Sequence, residues 1–171
     1  MMMSEVLKMD DIDRDIIKLV QKNPSLTHTQ IAKQVKRSQP TVGMRIRKLE
    51  GLGVLKFQAG INIKAANLMF AQVNLQTLNP KDILEIIKRC PFMLNAFRLS
   101  GNFNISILIT GIRLSDLDKI VNVHFRNNPD VLKLTMNVIT DVVNDFVLPI
   151  DLNFDHCDCP LHDHCSKEYL E

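Results

Sequence analysis

The chain has 171 residues, of which 46% are hydrophobic, and a formal net charge of +2 at pH 7. This length suits one large or two small domains, and the composition is sufficient to build buried cores. No apolar run is long enough to span a membrane, and residues 1–5 lack the features of a secretory signal. We therefore expect a cytoplasmic protein without membrane contact, whose four cysteines are thiols or metal ligands rather than structural disulfides.

Two helices are predicted at the start of the chain. The stretch Asp11–Lys22 has acids at its beginning, which suit a helix dipole, and apolar residues along one face. The pair Asn23-Pro24 ends this helix. Thr27 is a good N-cap for a second helix that runs to about Val35.

A third helix follows after a tight turn at Lys36 and Arg37. Ser38 caps this helix, and Pro40 lies in its first turn, where a missing N–H has no cost. Spacing of i, i+4 and i+7 predicts one buried stripe, formed by Val42, Ile46 and Leu49. Two capped helices around a short turn are typical of a helix-turn-helix and favour duplex DNA as the partner.

Positive charge is concentrated around this helix pair. Residues 28–60 hold seven Lys and Arg against one acid, Glu50, so the local net charge is +6 against +2 for the whole chain. Such a surface attracts phosphates, and the first half of a recognition helix meets base edges. The predicted DNA-binding residues are Ser38, Gln39, Thr41, Arg45, Arg47 and Lys48.

Two short β-rich runs follow on either side of Gln58-Ala59-Gly60. This pattern predicts a hairpin, the wing of a winged helix. Together with the three helices, it predicts a winged helix-turn-helix DNA-binding domain over residues 9–63.

Residues 64–143 alternate strand and helix patterns in the order βαββαβ. Period-two alternation predicts strands near 68–76, 93–99, 105–109 and 132–139, and helical spacing predicts helices that begin near Pro80 and Ser115. This order is the ferredoxin-like arrangement, an antiparallel sheet with helices on one face. The predicted fold class is therefore α+β: a winged helix-turn-helix, a ferredoxin-like dimerisation and effector domain, and a Cys/His-rich tail at 144–171.

The open face of that sheet is a candidate dimer interface. Phe70, Leu108 and Ile139 are apolar but out of phase with the rows predicted to be buried. A homodimer that pairs these faces would cover them.

Four stretches resemble the leucine-responsive regulator family, Lrp/AsnC. Met9–Pro24 resembles its first helix, and Ser38–Leu55 its recognition helix and wing entry. Phe97–Asn104 resembles the loop between the middle strands of its effector domain, and Asn127–Thr135 the entry to its last strand. The resemblance covers about residues 9–143.

This resemblance implies a feast/famine transcription regulator that dimerises through the βαββαβ sheet and assembles further, to a tetramer or octamer. It also implies a small-molecule site, an amino-acid site in the family, at Gly101, Asn102, Phe103 and Asn104. The family commonly has Asp at the position of Asn104 and Tyr at that of Phe103. The carboxylate that would pair with a ligand ammonium is therefore absent here.

Two departures concern the helix-turn-helix. Lys36 stands where the family often has Gly, which predicts unusual backbone angles at this residue. Gly43 interrupts the recognition helix at a cost of about 1 kcal/mol relative to Ala, and its lack of a side chain permits a close backbone approach.

The tail from Asp155 to Cys165 reads D-H-C-D-C-P-L-H-D-H-C. Thiolates and imidazoles at such short spacing suit a tetrahedral Zn²⁺, which would fold a tail that lacks a core of its own. The predicted ligands are Cys157, Cys159, His162 and Cys165, with His156 or His164 as replacements for His162. Such a tail would be a structural metal clip, or a metal or redox input to the regulator.

Three alternatives are open for this tail. A disulfide such as Cys157–Cys165 would act as a redox switch. An iron–sulfur cluster would need a fourth thiolate, but Cys90, at a helix end, has the position of a packed core thiol. The grouping is also compatible with chance.

An enzyme of the same architecture is the alternative function. Siroheme decarboxylases join a helix-turn-helix-like part to this effector fold, and typically carry a His-Asn-Tyr-x-Arg run and a Trp in the following strand. The corresponding run here is Leu94–Arg98, L-N-A-F-R, and the chain has no Trp. His124 lies near an apolar helix stripe, which favours a structural role. We therefore predict no catalytic residues.

Overall fold

The computed structural model describes residues 9–150, 153–155 and 157–170. The chain divides into two units, Met1–Gln58 and Ala59–Glu171. Each unit has its own hydrophobic core.

The first unit consists of three helices, as predicted: α1 (Asp11–Lys22), α2 (His28–Gln34) and α3 (Gln39–Gly51). Each helix begins at a side-chain cap that accepts a backbone N–H three residues ahead, at Asp10, Thr27 and Ser38. These caps satisfy N–H groups that have no partner within the helix. The predicted caps at Thr27 and Ser38 are confirmed.

The apolar faces of these helices meet in one small core. Its buried members are Ile16, Val20, Ile31, Ala32, Val42 and Ile46. Leu49 is also fully buried, so the whole predicted stripe of α3 faces inward. Burying an aliphatic side chain of this size contributes about 1.5–3 kcal/mol, so this stripe determines which side of α3 is turned outward.

The second unit contains a sheet, its covering helices and the tail. Its elements are β1 (Ile61–Asn62), β2 (Met69–Thr77), α4 (Pro80–Arg89), β3 (Met93–Arg98), β4 (Ile105–Gly111), α5 (Leu114–Val121), β5 (Val131–Ile139), β6 (Val147–Leu148) and α6 (His162–Leu170). A π-helical turn, Asn122–Arg126, continues α5. Among the described residues, no helix has both the length and the apolar character needed to cross a membrane.

Four strands form an antiparallel sheet in the order β3-β4-β2-β5. This order, with α4 and α5 as the connecting helices, confirms the predicted ferredoxin-like βαββαβ arrangement. One face of the sheet is buried under the helices through Ala71, Val73, Leu75, Ile105, Ile107 and Ile109. On the other face, Gln72 is exposed, Leu108 and Ile139 are half-buried, and Phe70 is buried.

The run after α3 does not form the predicted hairpin. Strand β1 pairs instead with β6, Ile61 opposite Leu148 and Asn62 opposite Val147. Gly60 gives the physical reason, because a Cβ there would lie 2.5 Å from the carbonyl oxygen of Leu148. This glycine serves a close backbone approach rather than a hairpin turn. The division between the units accordingly falls after Gln58, before β1, whereas the sequence placed it after residue 63.

The tail packs on the second unit through apolar side chains. Phe154 and Cys165 belong to the main core, and Leu161 packs against it. The rings of Phe92 and Phe154 lie with their centroids 5.6 Å apart. The tail is therefore anchored on the core of the second unit, and the sequence did not show this because the three anchoring residues are irregularly spaced.

Candidate functional site

Helix α3 turns a mostly polar side away from the core. Of the predicted DNA-binding residues, Ser38, Gln39, Arg47 and Lys48 are exposed, whereas Thr41 and Arg45 are partly buried. Ser38 and Thr41 start the helix: the Thr41 N–H donates to Ser38 Oγ at 3.3 Å, and their hydroxyl oxygens lie 2.7 Å apart. Both hydroxyls are thus engaged within the protein.

Arg45 is held inside the first unit by two acids at the start of α1. Its Nη1 donates to both carboxylate oxygens of Asp10, at 2.8 and 2.7 Å, and to Oδ1 of Asp13 at 2.7 Å. The Asp13 side chain is 0% exposed and that of Arg45 is 24% exposed. Lys48 Nζ lies 3.5 Å from the other oxygen of Asp13. Because a buried carboxylate needs such partners, Arg45 ties α3 to α1.

These contacts also shift protonation equilibria. The pKa of Asp10 is lowered from its ordinary 3.8, first by the backbone N–H of Asp13 and then by the Arg45 guanidinium. The pKa of Arg45 is raised by Asp10 and Asp13. From the sequence, the acids of α1 suit only the helix dipole. Their second role was missed because their partner lies on another helix.

The outward stripe of α3 lies opposite its buried stripe. Pro40, Met44 and Arg47 follow one another at i, i+4 and i+7 and are all exposed, Met44 by 60%. Arg37 in the preceding turn is exposed as well. Sequence reasoning left Arg37 and Met44 out of the predicted site, although the spacing relative to the buried stripe could have identified Met44.

The turn before α3 has left-handed backbone geometry at one residue. Lys36 has φ of 54°, which confirms the predicted unusual backbone angles. L-residues adopt this region at a cost of about 1–2 kcal/mol. The turn is supported by the Arg37 N–H, which donates to the Ala32 carbonyl at 3.0 Å.

Gly43 faces α2 rather than the outward surface. A Cβ at this position would lie 3.2 Å from Nδ1 of His28, the first residue of α2. The predicted close approach therefore brings α3 near a side chain of α2. Because Gly43 is buried, it lies off the candidate DNA surface.

The predicted ligand loop is closed onto strand β2 by Asn104. The Asn104 side chain accepts the Thr77 N–H at 3.0 Å and donates to the Thr77 carbonyl at 2.7 Å. Gly101 and Asn102 are exposed, and Phe103 is half-buried. Asn104 thus uses both ends of its amide within the fold, and an Asp could not donate the second bond.

The four predicted metal ligands are not gathered around one point. Cys157 and Cys159 have their sulfur atoms 3.5 Å apart. His162 Nδ1 lies 3.2 Å from the carboxylate of Asp163, and Cys165 is buried in the core. Within the part of the chain that the structure describes, no three His, Cys, Asp or Glu side chains are placed to hold a metal ion.

His156 and His164 are the two predicted replacements for His162 as a metal ligand. His156 lies outside the described residues. His164 Nε2 lies 2.9 Å from Lys119 Nζ on α5. That contact directs the ring toward α5.

A fourth cysteine lies beside the tail. Cys90 follows α4 and lines one pocket together with Cys157 and Cys159. Burial raises the pKa of the Cys90 thiol to about 12; the backbone of Phe92 opposes the rise, and the charges of Cys157, Cys159 and Cys165 add to it. The predicted packed thiol is confirmed as buried, but its closeness to the tail was missed because the two segments are far apart in sequence.

His124 lines the same pocket from the π-helical turn after α5. Burial lowers the pKa of the His124 imidazole, which favours the neutral ring. Its Nε2 is buried and has no hydrogen-bond partner among the described residues. The apolar stripe near His124 explains the burial of the ring but not this unpaired nitrogen.

Residues 9–56 match the family of winged helix-turn-helix DNA-binding domains. PF0864, a helix-turn-helix transcriptional regulator of Pyrococcus furiosus, is 39% identical over 54 residues, 32% of this chain and 33% of that protein. The chain thus spans about a third of this relative. The regulator LysM of Sulfurisphaera tokodaii is 26% identical over 138 residues, 78% of this chain and 96% of LysM.

Solved structures extend the likeness to the fold. LrpA, the leucine response regulatory protein of Mycobacterium tuberculosis, has a TM-score of 0.69 at 21% identity, over 84% of this chain and 100% of that chain. The structure of PF0864, described as a member of the AsnC family, has a TM-score of 0.64 at 24% identity, over 79% and 92%. Residues 9–56 are therefore similar to winged helix-turn-helix DNA-binding domains, and the chain shares the fold of these LrpA and AsnC-family structures.

Proposed function

We propose that the protein is a sequence-specific DNA-binding transcriptional regulator that acts as a dimer and inserts α3 of each copy into the major groove of a near-palindromic DNA site. The observation that carries this proposal is the division of α3 into an inward apolar stripe and an outward stripe with Met44 and Arg47. A helix so divided, preceded by a capped helix and a tight turn, has the form that enters a major groove of about 12 Å width.

Within this surface, Gln39 is the proposed base reader. It is the first residue of α3 and is exposed, and a side-chain amide is suited to two hydrogen bonds with adenine. Arg37 and Arg47, both exposed cations, are the proposed phosphate contacts. The remaining predicted residues, Ser38, Thr41 and Lys48, border the same surface.

Arg45 has a different role in this proposal from the one that its sequence position suggests. Its guanidinium contacts Asp10 and Asp13 at hydrogen-bonding distance, so it supports the angle between α1 and α3 from within. Arg45 is therefore a positioning residue for the DNA surface, and the loss of its side chain acts on α3 before it acts on DNA.

Dimerisation is proposed through the open face of the sheet. Leu108 near its centre is half-buried, and Phe97 on the edge strand β3 is 57% exposed. Two such faces packed together would bury these residues and present two copies of α3 related by a two-fold axis. Assembly of such dimers to a tetramer or octamer remains part of the proposal.

A small-molecule effector is proposed for the loop Gly101–Asn104, but not through an ammonium contact at Asn104. Both ends of that side-chain amide bond Thr77, and an amide carries no negative charge. An effector bound there would use the exposed Gly101 and Asn102 instead. Zinc remains a second proposed effector.

The proposal is tested by selecting bound duplexes from a pool with a randomised centre. We expect enrichment of two inverted half-sites separated by about one helical turn or a multiple of it. Gln39→Ala is expected to relax the preference at one position per half-site by about 1–3 kcal/mol. The matched control Gln34→Ala, an exposed glutamine at the end of α2, should leave the selected site unchanged. A pool that emerges without sequence preference would overturn the proposal.

A further inference from the structure

The end of α4 and the tail, which are far apart in sequence, lie next to each other in the second unit. Arg89, the last residue of α4, pairs with Asp158 of the tail at 2.9 Å. Cys90 follows Arg89 directly, and Cys157 and Cys159 flank Asp158. The ion pair therefore sets one thiol of the helix end opposite two thiols of the tail, and all three line the same pocket.

The spacing of the two tail thiols matches one edge of a metal–thiolate site. Their sulfur atoms are 3.5 Å apart. With zinc–sulfur bonds of about 2.3 Å, two thiolates of a tetrahedral site lie about 3.8 Å apart. Cys157 and Cys159 are both partly exposed, so their side chains can rotate toward Cys90.

A nitrogen ligand is available in the same pocket. His124 Nε2 is buried and lacks a hydrogen-bond partner among the described residues. An unsatisfied buried nitrogen is costly in a folded protein, and a metal ion would satisfy it. Because the π-helical turn Asn122–Arg126 carries His124, this ligand comes from a third segment.

We propose that Cys90, His124, Cys157 and Cys159 form a site for a thiophilic divalent cation such as Zn²⁺. As placed, no three such side chains among the described residues hold a metal position, so binding requires the two tail thiols to close onto Cys90. Each of the three thiols gives its proton to solvent as its sulfur–metal bond forms, and no electron is transferred. The bound ion would join α4, the turn after α5 and the tail.

This set differs from the one that the sequence pattern suggests. Cys165 is buried on another side of the tail, in a small pocket with Phe92 and Lys119. His162 contacts Asp163. The inference is independent of the DNA surface, because every proposed ligand lies in the second unit.

The test is Co²⁺ binding by the full chain, reduced and stripped of metal, followed by displacement with Zn²⁺. Thiolate-to-cobalt charge transfer and the visible bands of tetrahedral Co²⁺ report the ligands directly. We expect Cys90→Ala to weaken Co²⁺ binding about 100-fold or more, since loss of an outer partner alone costs about 10–100-fold. Cys165→Ala removes the other buried thiol and should leave both spectrum and affinity unchanged. His124→Gln should alter the visible bands while the charge transfer stays.

Folding and DNA binding are measured on the same samples. Wild-type circular dichroism and wild-type DNA affinity in metal-free Cys90→Ala would show that its lost Co²⁺ binding is not due to misfolding. If Cys90→Ala does not fold, Cys157→Ser, at a partly exposed position, is expected to show the same loss. The proposal is overturned if the wild type gives no thiolate charge transfer. It is equally overturned if Cys165→Ala loses the site while Cys90→Ala or His124→Gln keeps the wild-type spectrum.

Discussion

Arg45 shows how one residue can change its role between sequence and structure. Its position on α3 predicts contact with base edges, yet its Nη1 lies 2.7 Å from a carboxylate oxygen of the fully buried Asp13. Helical spacing identified the side of α3 that carries Arg45. It did not identify Asp10 and Asp13 as its partners, because they belong to the start of α1, a separate helix. The charge of Arg45 therefore stabilises the packing of α3 against α1 within the first unit.

Arg45→Ala is expected to destabilise the first unit by about 3 kcal/mol, because the buried carboxylate of Asp13 loses the guanidinium 2.7 Å away and keeps only weaker contacts, Lys48 Nζ at 3.5 Å and the Asp10 N–H at 3.3 Å. Hydrogen exchange of the α1 amides would measure this loss locally. The control Arg14→Ala removes an exposed pair with Asp11 and should cost about 0.5 kcal/mol or less. Equal hydrogen exchange in both variants would show that the ion pair between Arg45 and Asp13 does not stabilise the first unit.

Acid should weaken the contact between Arg45 and Asp10. The pKa of Asp10 is lower in the folded chain than its ordinary 3.8, so the stabilisation from this group is complete above that pH. It is lost as the pH falls below 3.8 and through the folded pKa. In Arg45→Ala, this acid-sensitive part of the α1 protection should be smaller.

Asn104 provides a second prediction at this scale. Asn104→Asp removes the donor to the Thr77 carbonyl, 2.7 Å away, and sets a carboxylate oxygen against it. We expect a loss of about 1–3 kcal/mol, measured by denaturant unfolding. Asn102→Asp makes the same chemical change at an exposed position of the loop and should be nearly neutral. A stable Asn104→Asp protein would mean that the amide is not needed as a donor.

At the scale of elements, the helices were the most predictable part of the chain. Caps at Thr27 and Ser38 and the stripe of Val42, Ile46 and Leu49 are local signals, and the structure confirms them. The wing was not predictable in this way. Its second run pairs with β6, far along the chain, and Gly60 supports that distant contact rather than a turn.

The turn before α3 gives a prediction at the element scale. Lys36→Gly should stabilise the first unit by about 0.5–1 kcal/mol, because glycine adopts the φ of 54° without the steric cost that an L-residue has there. Thermal unfolding or α2 hydrogen exchange would measure the gain. Lys33→Gly, within α2, removes the same charge and should instead destabilise by about 1 kcal/mol. A destabilised Lys36→Gly variant would contradict this explanation of the turn.

At the scale of the whole molecule, strand order and helix placement followed from the βαββαβ pattern, because that order of elements is the signature of the ferredoxin-like sheet. Contacts between distant segments did not follow from it. The packing of Phe154 on Phe92 and the approach of Cys157 to Cys90 join segments that the pattern treats as separate. The outward side of α3 was therefore largely predictable from the sequence, whereas the pocket that Cys90 shares with Cys157 and Cys159 was not.

The proposed dimer is tested by a charge placed on the open sheet face. Leu108→Glu should shift the protein toward monomer in sedimentation velocity, because a carboxylate would be buried between the two sheets. The control Leu78→Glu introduces the same charge at a residue that is 69% exposed after β2 and should remain dimeric. If both variants sediment like the wild type, the subunits pair through another surface.

Contact between DNA and the outward surface of α3 is tested by the salt dependence of affinity for a selected duplex. We expect the affinity of the wild type to fall steeply with salt, and the slope for Arg47→Ala to be smaller by about one for each copy of Arg47 bound. Lys81→Ala, the loss of an exposed cation on α4, should leave the slope unchanged. Salt-independent binding, or the same slope in Arg47→Ala as in the wild type, would mean that this surface of α3 does not contact DNA phosphates.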